Sequence, residues 1–397
     1  MALQPAAGAR DLNPRQVEGN RRIRQQLAAV YRRWGYREVD PPTVETLDTL
    51  AAGGGIAGAE LVRLASDDPL GLRPELTASI ARAACTRMAA QPMPLRLWAD
   101  GDVFRSCLGD GGGQRINQAI TSGVELLGEP TLSADIELVR LLLAAAGSLG
   151  LHADHQPTLL VGHHGILQAV LLTLLHDCPE PQLHRVRSAL TAFDPLTLQQ
   201  LPLSQGQQQQ LLELLMLRGE PQVVLGQLRA YLGEHPLLAQ LDQLLAAVSP
   251  AASRHGVRLQ LDPTFQPHFN LYDGVVLKLV CQGRHVPVAI ASGGRYDALV
   301  GRFSTADSRR SLPPAGVGFG FDVEQVRELV QPAAEERAPL LVAFDTSDQL
   351  TAAIDALEEL HQQGSSAELL GRPVQDRQQA EAIAIERGCG AVHWLGT

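Results

Sequence analysis

An α+β architecture is expected, built on an antiparallel sheet flanked by helices, with a helical insertion and a small C-terminal α/β domain. Three observations lead to it. Residues 95–128 read as strand, loop and strand with few connecting helices, the order of an antiparallel sheet. Residues from about 163 to 250 are rich in Leu and Gln, with leucines at three- and four-residue spacing. That spacing fits packed helices better than a disordered Gln tract. Residues 338–397 alternate strand and helix, the order of a parallel α/β unit.

Taken in order, residues 14–34 carry Val17, Ile23, Leu27, Val30, Tyr31 and Trp34 at helical spacing and end at Gly35, which predicts an amphipathic helix. YREVDPPTVE (36–45) reads as a strand bent at Pro41 and Pro42. A turn at Asp68-Pro69 precedes a helix from Thr77 to about Ala90. LRLWADGDVFR, a Gly-rich loop and RINQAITSGVELLG then supply strand, loop and strand, and residues 134–149 a further helix. Strand patterns return in VRLQLD, GVVLKLV and VPVAIA and end at PAGVGFGFD. A boundary is expected near Gln331-Pro332-Ala333, separating a core of residues 1–330 from the domain at 338–397. In that domain PLLVAFD, AELLG and AVHWLG are the strands.

Composition narrows the function. The chain has 397 residues, 45% hydrophobic and 19% charged, as expected of a globular protein. Its 33 basic and 43 acidic residues give a net charge of −10. Nucleic acids are bound mainly through basic surfaces that release counterions, so no nucleic-acid partner is expected. The five cysteines lie 22 or more positions apart and form no CxxC or other metal-ligand spacing. Neither a metal nor a cofactor is called for. His163-His164 has no carboxylate at ligand spacing, and the glycines at 109–113 are not followed by the Lys and Ser or Thr of a phosphate-binding loop. No signal segment or bilayer-length apolar run is apparent, so a cytoplasmic location without membrane contact is expected.

Six stretches carry the chemistry. In GLRPELTASIARAA (71–84), Glu75 and Thr77 have the acceptor groups to hold an ammonium, although Pro74, Glu75 and Thr77 also suit a helix N-terminus. WADGDVFR (98–105) ends on Arg105, whose guanidinium fork matches a phosphate. Thr121 and Glu125 follow in TSGVE. LDPTFQPHFNLYDGVVLK (261–278) contains Pro267, His268 and Tyr272. IASGGRYDALVGRF (290–303) places Gly293, Gly294 and Tyr296 together; adjacent glycines allow close backbone approach, and Tyr296 pairs an apolar ring with a hydroxyl. PAGVGFGFDVEQV (314–326) closes the series, its glycine spacing being wrong for a dinucleotide fingerprint.

In this order, over about residues 8 to 326, the stretches resemble histidyl-tRNA synthetase, and the resemblance implies a class II synthetase-like fold. It implies that Glu75 and Thr77 hold a ligand ammonium, that Glu125 and Tyr272 receive an imidazole, and that Tyr296 closes the pocket beside Gly293 and Gly294. Arg105 matches the family arginine on the α-phosphate of ATP, and Thr121 replaces part of a family amide. Two positions depart from the pattern. Pro267 stands where the family has its catalytic Arg, with His268 beside it as a partial substitute, and Gln325 stands where an Arg meets the γ-phosphate. A pocket that keeps recognition groups but loses transition-state stabilisers binds without activating, so no catalytic residues are expected.

This pattern is similar to that of the regulatory subunits of ATP phosphoribosyltransferase, paralogues of the synthetase that act in the first step of histidine biosynthesis. The resemblance implies a non-catalytic chain, a short-form catalytic subunit as partner, L-histidine as effector, and a homodimer within a hetero-octamer. It also implies that the C-terminal domain is a truncated anticodon-binding domain. The residues leave two other readings open: a divergent histidyl-tRNA synthetase, and a synthetase-like protein binding another amino acid or a protein partner.

Overall fold

The computed structural model describes residues 5–53, 58–109, 112–151, 153–266, 271–304, 313–330 and 338–396. The chain divides into two units, Met1–Gln331 and Pro332–Thr397. The boundary expected near Gln331-Pro332-Ala333 lies outside the described residues.

In the first unit α1 (Pro14–Arg33) opens on a capping box. Gln16 N–H donates to Asn13 Oδ1 at 2.9 Å, and Asn13 N–H donates to Gln16 Oε1 at 3.0 Å. Pro14 sits in the first turn, where its missing N–H would have had no helical partner. The helix buries Ile23, Leu27 and Tyr31, while Val17 at its start remains exposed. Pro41-Pro42 divides the single bent strand expected over 36–45 into β1 (Arg37–Glu38) and β2 (Val44–Thr46), which join different sheets. After α2 (Leu47–Gly53), β3 (Val62–Arg63) and β4 (Leu70–Leu72) complete a small sheet of order β2-β4-β3 that the sequence did not predict.

Helix α3 (Thr77–Cys85) is shorter than the expected span to about residue 90. Thr86 Oγ1 donates to the Arg82 carbonyl at 2.7 Å, a local bond that competes with helix continuation. The long strands β5 (Leu95–Leu108) and β6 (Gln114–Leu127) pair antiparallel over their full length. They are followed by α4 (Leu132–Ser148) and β7 (Thr158–His163).

Helices α5 (His164–Leu174), α6 (Glu180–Thr191), α7 (Pro195–Gln200), α8 (Gln205–Met216), α9 (Pro221–Leu232) and α10 (Pro236–Arg254) then run without an intervening strand. Asp194, Ser204 and Glu220 cap α7, α8 and α9 by accepting from the N–H groups of Thr197, Gln207 and Val223. His163 ends β7 and caps α5 through Nδ1, which accepts from Gly165 N–H at 3.1 Å. Burial holds the His163 imidazole down to about 4, consistent with a neutral capping acceptor.

The remaining elements of this unit are β8 (Arg258–Leu261), β9 (Val275–Gln282), β10 (Pro287–Arg295), α11 (Asp297–Phe303), β11 (Gly316–Asp322) and α12 (Val323–Leu329). The main sheet has the order β1-β5-β6-β11-β10-β9-β7-β8. Its inner pairs are antiparallel as expected, whereas the edge strands β1 and β8 pair parallel with β5 and β7. One face packs on α1 and α4 through Tyr31, Trp98 and Phe319, with Tyr31 centred 5.9 Å from Trp98 and 6.1 Å from Phe319. The other face packs on α3 and α11 through Leu97, Ile80 and Val300 and also carries the cavity described below.

The second unit is a three-stranded parallel sheet of order β13-β12-β14, formed by β12 (Leu340–Ala343), β13 (Ala367–Leu369) and β14 (Ala391–Trp394). The connecting helices are α13 (Leu350–Gln362) and α14 (Arg377–Arg387). Asp376 caps α14, and Gly388 ends it in the left-handed conformation at φ 75°.

Candidate functional site

A cavity of about 300 Å³ lies over the middle of the main sheet. Glu75, Thr77, Arg105, Thr121, Glu125 and Tyr272 all line it. Residues from α3, β5, β6 and the segment before β9 thus converge on one space. Tyr296 stands behind Glu125, while Gly293 and Gly294 lie on β10 outside the lining. Gln325 is an exposed residue of α12, also outside the lining, and its N–H donates to Asp322 Oδ1 at 3.0 Å. Pro267 and His268 lie outside the described residues.

Glu125 is the centre of the arrangement. It is 4% exposed, accepts from Thr77 Oγ1 on Oε1 at 2.6 Å, and accepts from the Tyr296 hydroxyl on Oε2. Burial pushes its carboxyl up to about 8; the Thr77 and Tyr296 hydroxyls oppose the rise and Glu75 adds to it. At neutral pH the carboxyl is therefore largely protonated and able to donate as well as accept. Burial, followed by the nearness of Glu125, raises the Tyr272 and Tyr296 phenols, so both remain hydroxyls.

Glu75 stands at the start of α3 and at the cavity wall. Each of its carboxyl oxygens accepts from Ala78 N–H at 3.1 Å in the first turn of α3, and the residue also faces the cavity. Burial raises its carboxyl. Thr77 is the first residue of α3 and does not cap it, so its hydroxyl is free for Glu125. Arg105 Nε donates to the Pro74 carbonyl at 3.2 Å. Burial lowers the Arg105 guanidinium, and Glu75 works against that shift.

The glycines set the depth of the site. In register across the sheet, Glu125 pairs with Gly318 and Gly318 with Gly294. A Cβ on Gly318 would stand 1.7 Å from Glu125 Oε2, so the Glu125 carboxyl lies directly over that residue. A Cβ on Gly316 would meet the Tyr296 ring at 2.4 Å, and one on Gly320 would meet Thr121 Cγ2 at 2.9 Å. Gly294 gives the same clearance to the Tyr272 ring, 2.8 Å from its absent Cβ. Gly293 points the other way, its absent Cβ falling 2.3 Å from the Gly318 carbonyl oxygen. The alternate glycines of PAGVGFGFD therefore hold room for Tyr296, Glu125 and Thr121.

Below the site Arg295 is nearly buried. It donates from Nε and Nη2 to the two carboxyl oxygens of Asp135 at 3.0 Å each, and from Nη1 to Asp297 at 3.1 Å. This fork ties β10 to α4 and fixes the turn that presents Tyr296.

Four polar cavity residues escaped the sequence reading: Asn117, Lys278, Ser292 and Asp322. Each sits in a strand or at its end, and only the register between strands brings them to the cavity. Among the described residues no group of three His, Cys, Asp or Glu side chains is placed to hold a metal ion. No described helix is long and apolar enough to cross a membrane.

A sheet of this order with this cavity defines a class II synthetase-like protein. The family model described as histidyl-tRNA synthetase matches residues 8–326. A histidyl-tRNA synthetase from Nostoc sp. PCC 7120 superposes with a TM-score of 0.78 at 17% identity, covering 100% of this chain and 92% of that one. An ATP phosphoribosyltransferase regulatory subunit/histidyl-tRNA synthetase from Bacillus halodurans superposes with a TM-score of 0.81 at 25% identity, over 100% and 99% of the two chains. The ATP phosphoribosyltransferase regulatory subunit of Synechococcus sp. (strain RCC307) is 52% identical over 402 residues, covering all of both chains. The regulatory subunit of Prochlorococcus marinus (strain MIT 9303) is 47% identical over 398 residues, again over both whole chains. The chain belongs to the ATP phosphoribosyltransferase regulatory subunit family.

Proposed function

We propose that this chain is a non-catalytic regulatory subunit of ATP phosphoribosyltransferase, activating a short catalytic partner and carrying feedback by L-histidine. The observation that carries the reading is the pairing of a retained pocket with full-length relatives that bear that name. Glu75, Thr77, Glu125 and Tyr272 line one cavity with Tyr296 bonded to Glu125 behind it, which supports reading them as a ligand-recognition set. The motif position expected to hold an arginine is Gln325, outside the cavity lining.

In this reading the histidine ammonium lies against Glu75 and Thr77, and the imidazole against Glu125 and Tyr272, with Tyr296 holding Glu125 in place. A carboxyl poised near neutrality can meet either tautomer of an imidazole, as donor or as acceptor. Feedback follows if the quaternary states of the complex differ in histidine affinity, since only differential binding shifts an equilibrium.

Adenylation would require charge on the phosphates of ATP, which Gln325 does not supply. The net charge of −10 also disfavours a tRNA partner. The test is ATP phosphoribosyltransferase activity of a short-form catalytic subunit from the same source, with and without this chain, titrated with histidine. Activation reversed by histidine is expected. No activation and no co-elution would overturn the reading, and histidine-dependent ATP–pyrophosphate exchange by the chain alone would replace it with a synthetase.

A further inference from the structure

The sheet carries a second row of residues beside the one that holds Glu125. In register, Gly123 pairs with Gly320, Gly320 with Ser292, and Ser292 with Lys278. All four line the cavity. Three of them have little or no side chain, so the row forms a trough across β6, β11 and β10 that ends at Lys278 on β9. It lies two residues along the strands from the row of Glu125, Gly318 and Gly294, a displacement of about 7 Å. Lys278 also stands three strands from Glu125, about 14 Å across the sheet, a span that the two side chains bridge with a single amino acid between them.

Lys278 is half-buried, and its Nζ stands 5.2 Å from the centre of the Phe265 ring. No carboxylate among the described residues forms an ion pair with it. Burial lowers the ammonium. A cation on an aromatic face is held weakly and keeps its full charge. The remaining charged groups of the cavity are otherwise engaged. Arg105 Nε bonds the Pro74 carbonyl and the group sits in the field of Glu75, while Asp322 caps α12.

From this geometry we infer that Lys278 is the partner of the ligand's carboxylate, so that the cavity takes a zwitterionic amino acid lengthwise along the trough. The inference rests on the amino-acid-binding reading of the same cavity. It assigns to a strand residue the anionic end of the ligand, which the sequence left without a partner at Pro267. The Ser292 hydroxyl at the neighbouring register position supplies a second donor on the same side.

The test is calorimetric titration of the full chain with L-histidine and with histamine, which keeps the ammonium and imidazole but has no carboxylate. The unmodified chain is expected to prefer histidine by about ten- to a hundredfold, the range of one charge-assisted bond. Lys278→Met should bring that ratio close to one while leaving histamine affinity in place, and Lys278→Arg should retain most of it. Because each variant is judged by its own ratio, a change in folding that weakens both ligands alike does not imitate the expected result. If histidine binds the unmodified chain and Lys278→Met keeps the preference, or weakens both ligands equally, the assignment to Lys278 is overturned and the pocket reading stands. If neither ligand binds the unmodified chain, the pocket reading falls and this assignment with it.

Discussion

Thr77 donates its hydroxyl proton to Glu125 across 48 positions of sequence, joining the first residue of α3 to β6 at 2.6 Å. The bond places a carboxyl group that would otherwise be buried with one donor, Tyr296. It also explains why Thr77 does not cap its own helix, the task its position in the sequence made equally plausible.

Removing the acceptor should abolish ligand recognition. Glu125→Ala leaves the Thr77 and Tyr296 hydroxyls without their shared partner, at about 1–3 kcal/mol for a buried unsatisfied group. Calorimetry with L-histidine is expected to show at least a tenfold loss of affinity. Equal heats for the parent and the variant would remove Glu125 from the site.

The same carboxyl makes stability depend on pH with a definite sign. Its ordinary value is 4.5 and burial raises it to about 8 in the folded chain. Between these values the folded state holds a proton that the unfolded chain has released. The stabilisation is therefore complete below pH 4.5 and lost as pH rises through 8, by at most about 1.4 kcal/mol per pH unit. Glu125→Gln cannot ionise, so its Tm should rise relative to the parent between pH 5 and pH 8. Parallel melting curves across that window would show that Glu125 does not titrate there.

Gly318 and Gly320 should differ sharply although they stand two residues apart. Gly318→Ala drives a methyl into the Glu125 carboxyl, whereas Gly320→Ala meets only the Thr121 methyl at 2.9 Å. Overpacking of the first kind costs about 1–3 kcal/mol and displaces Glu125. Thermal unfolding should show a clearly larger Tm loss in Gly318→Ala than in Gly320→Ala, whose methyl stands on the floor of the trough and acts on ligand binding instead. An equal Tm loss in both would contradict the placement of Glu125 over β11.

Arg295→Met should be strongly destabilising. It strands Asp135, which is 8% exposed, and breaking a buried pair from one side costs about 3–5 kcal/mol. Thermal unfolding should show a Tm drop of several degrees, partly recovered in the double variant Arg295→Met, Asp135→Leu. A Tm unchanged in the single variant would mean that the ion pair does not hold β10 to α4.

Much of the molecule was legible in the chain. Residues such as Thr77, Glu125, Tyr272 and Tyr296 stand in contiguous motifs, and the leucine spacing from about 163 to 250 marks the helical insertion. What was not legible depends on register. Lys278 and Ser292 are unremarkable in linear order, and only the pairing of β9 with β10 sets them side by side. The split of residues 36–45 into two sheets was likewise hidden, because Pro41-Pro42 signals a bend without saying which partners the two halves find. The early end of α3 turned on one threonine hydroxyl competing for a carbonyl, a choice that helical periodicity does not record.

The alternate glycines of β11 give the cavity an unusual vulnerability. Its deepest part is bounded by absent atoms, each gap reserved for a side chain that belongs to another strand or loop. One added carbon at position 318 would occupy the space of the central carboxyl while every recognition residue stayed unaltered. A relative could thus go blind to its effector with a complete set of contact residues, so inventories of those residues alone would misjudge which homologues still sense a ligand.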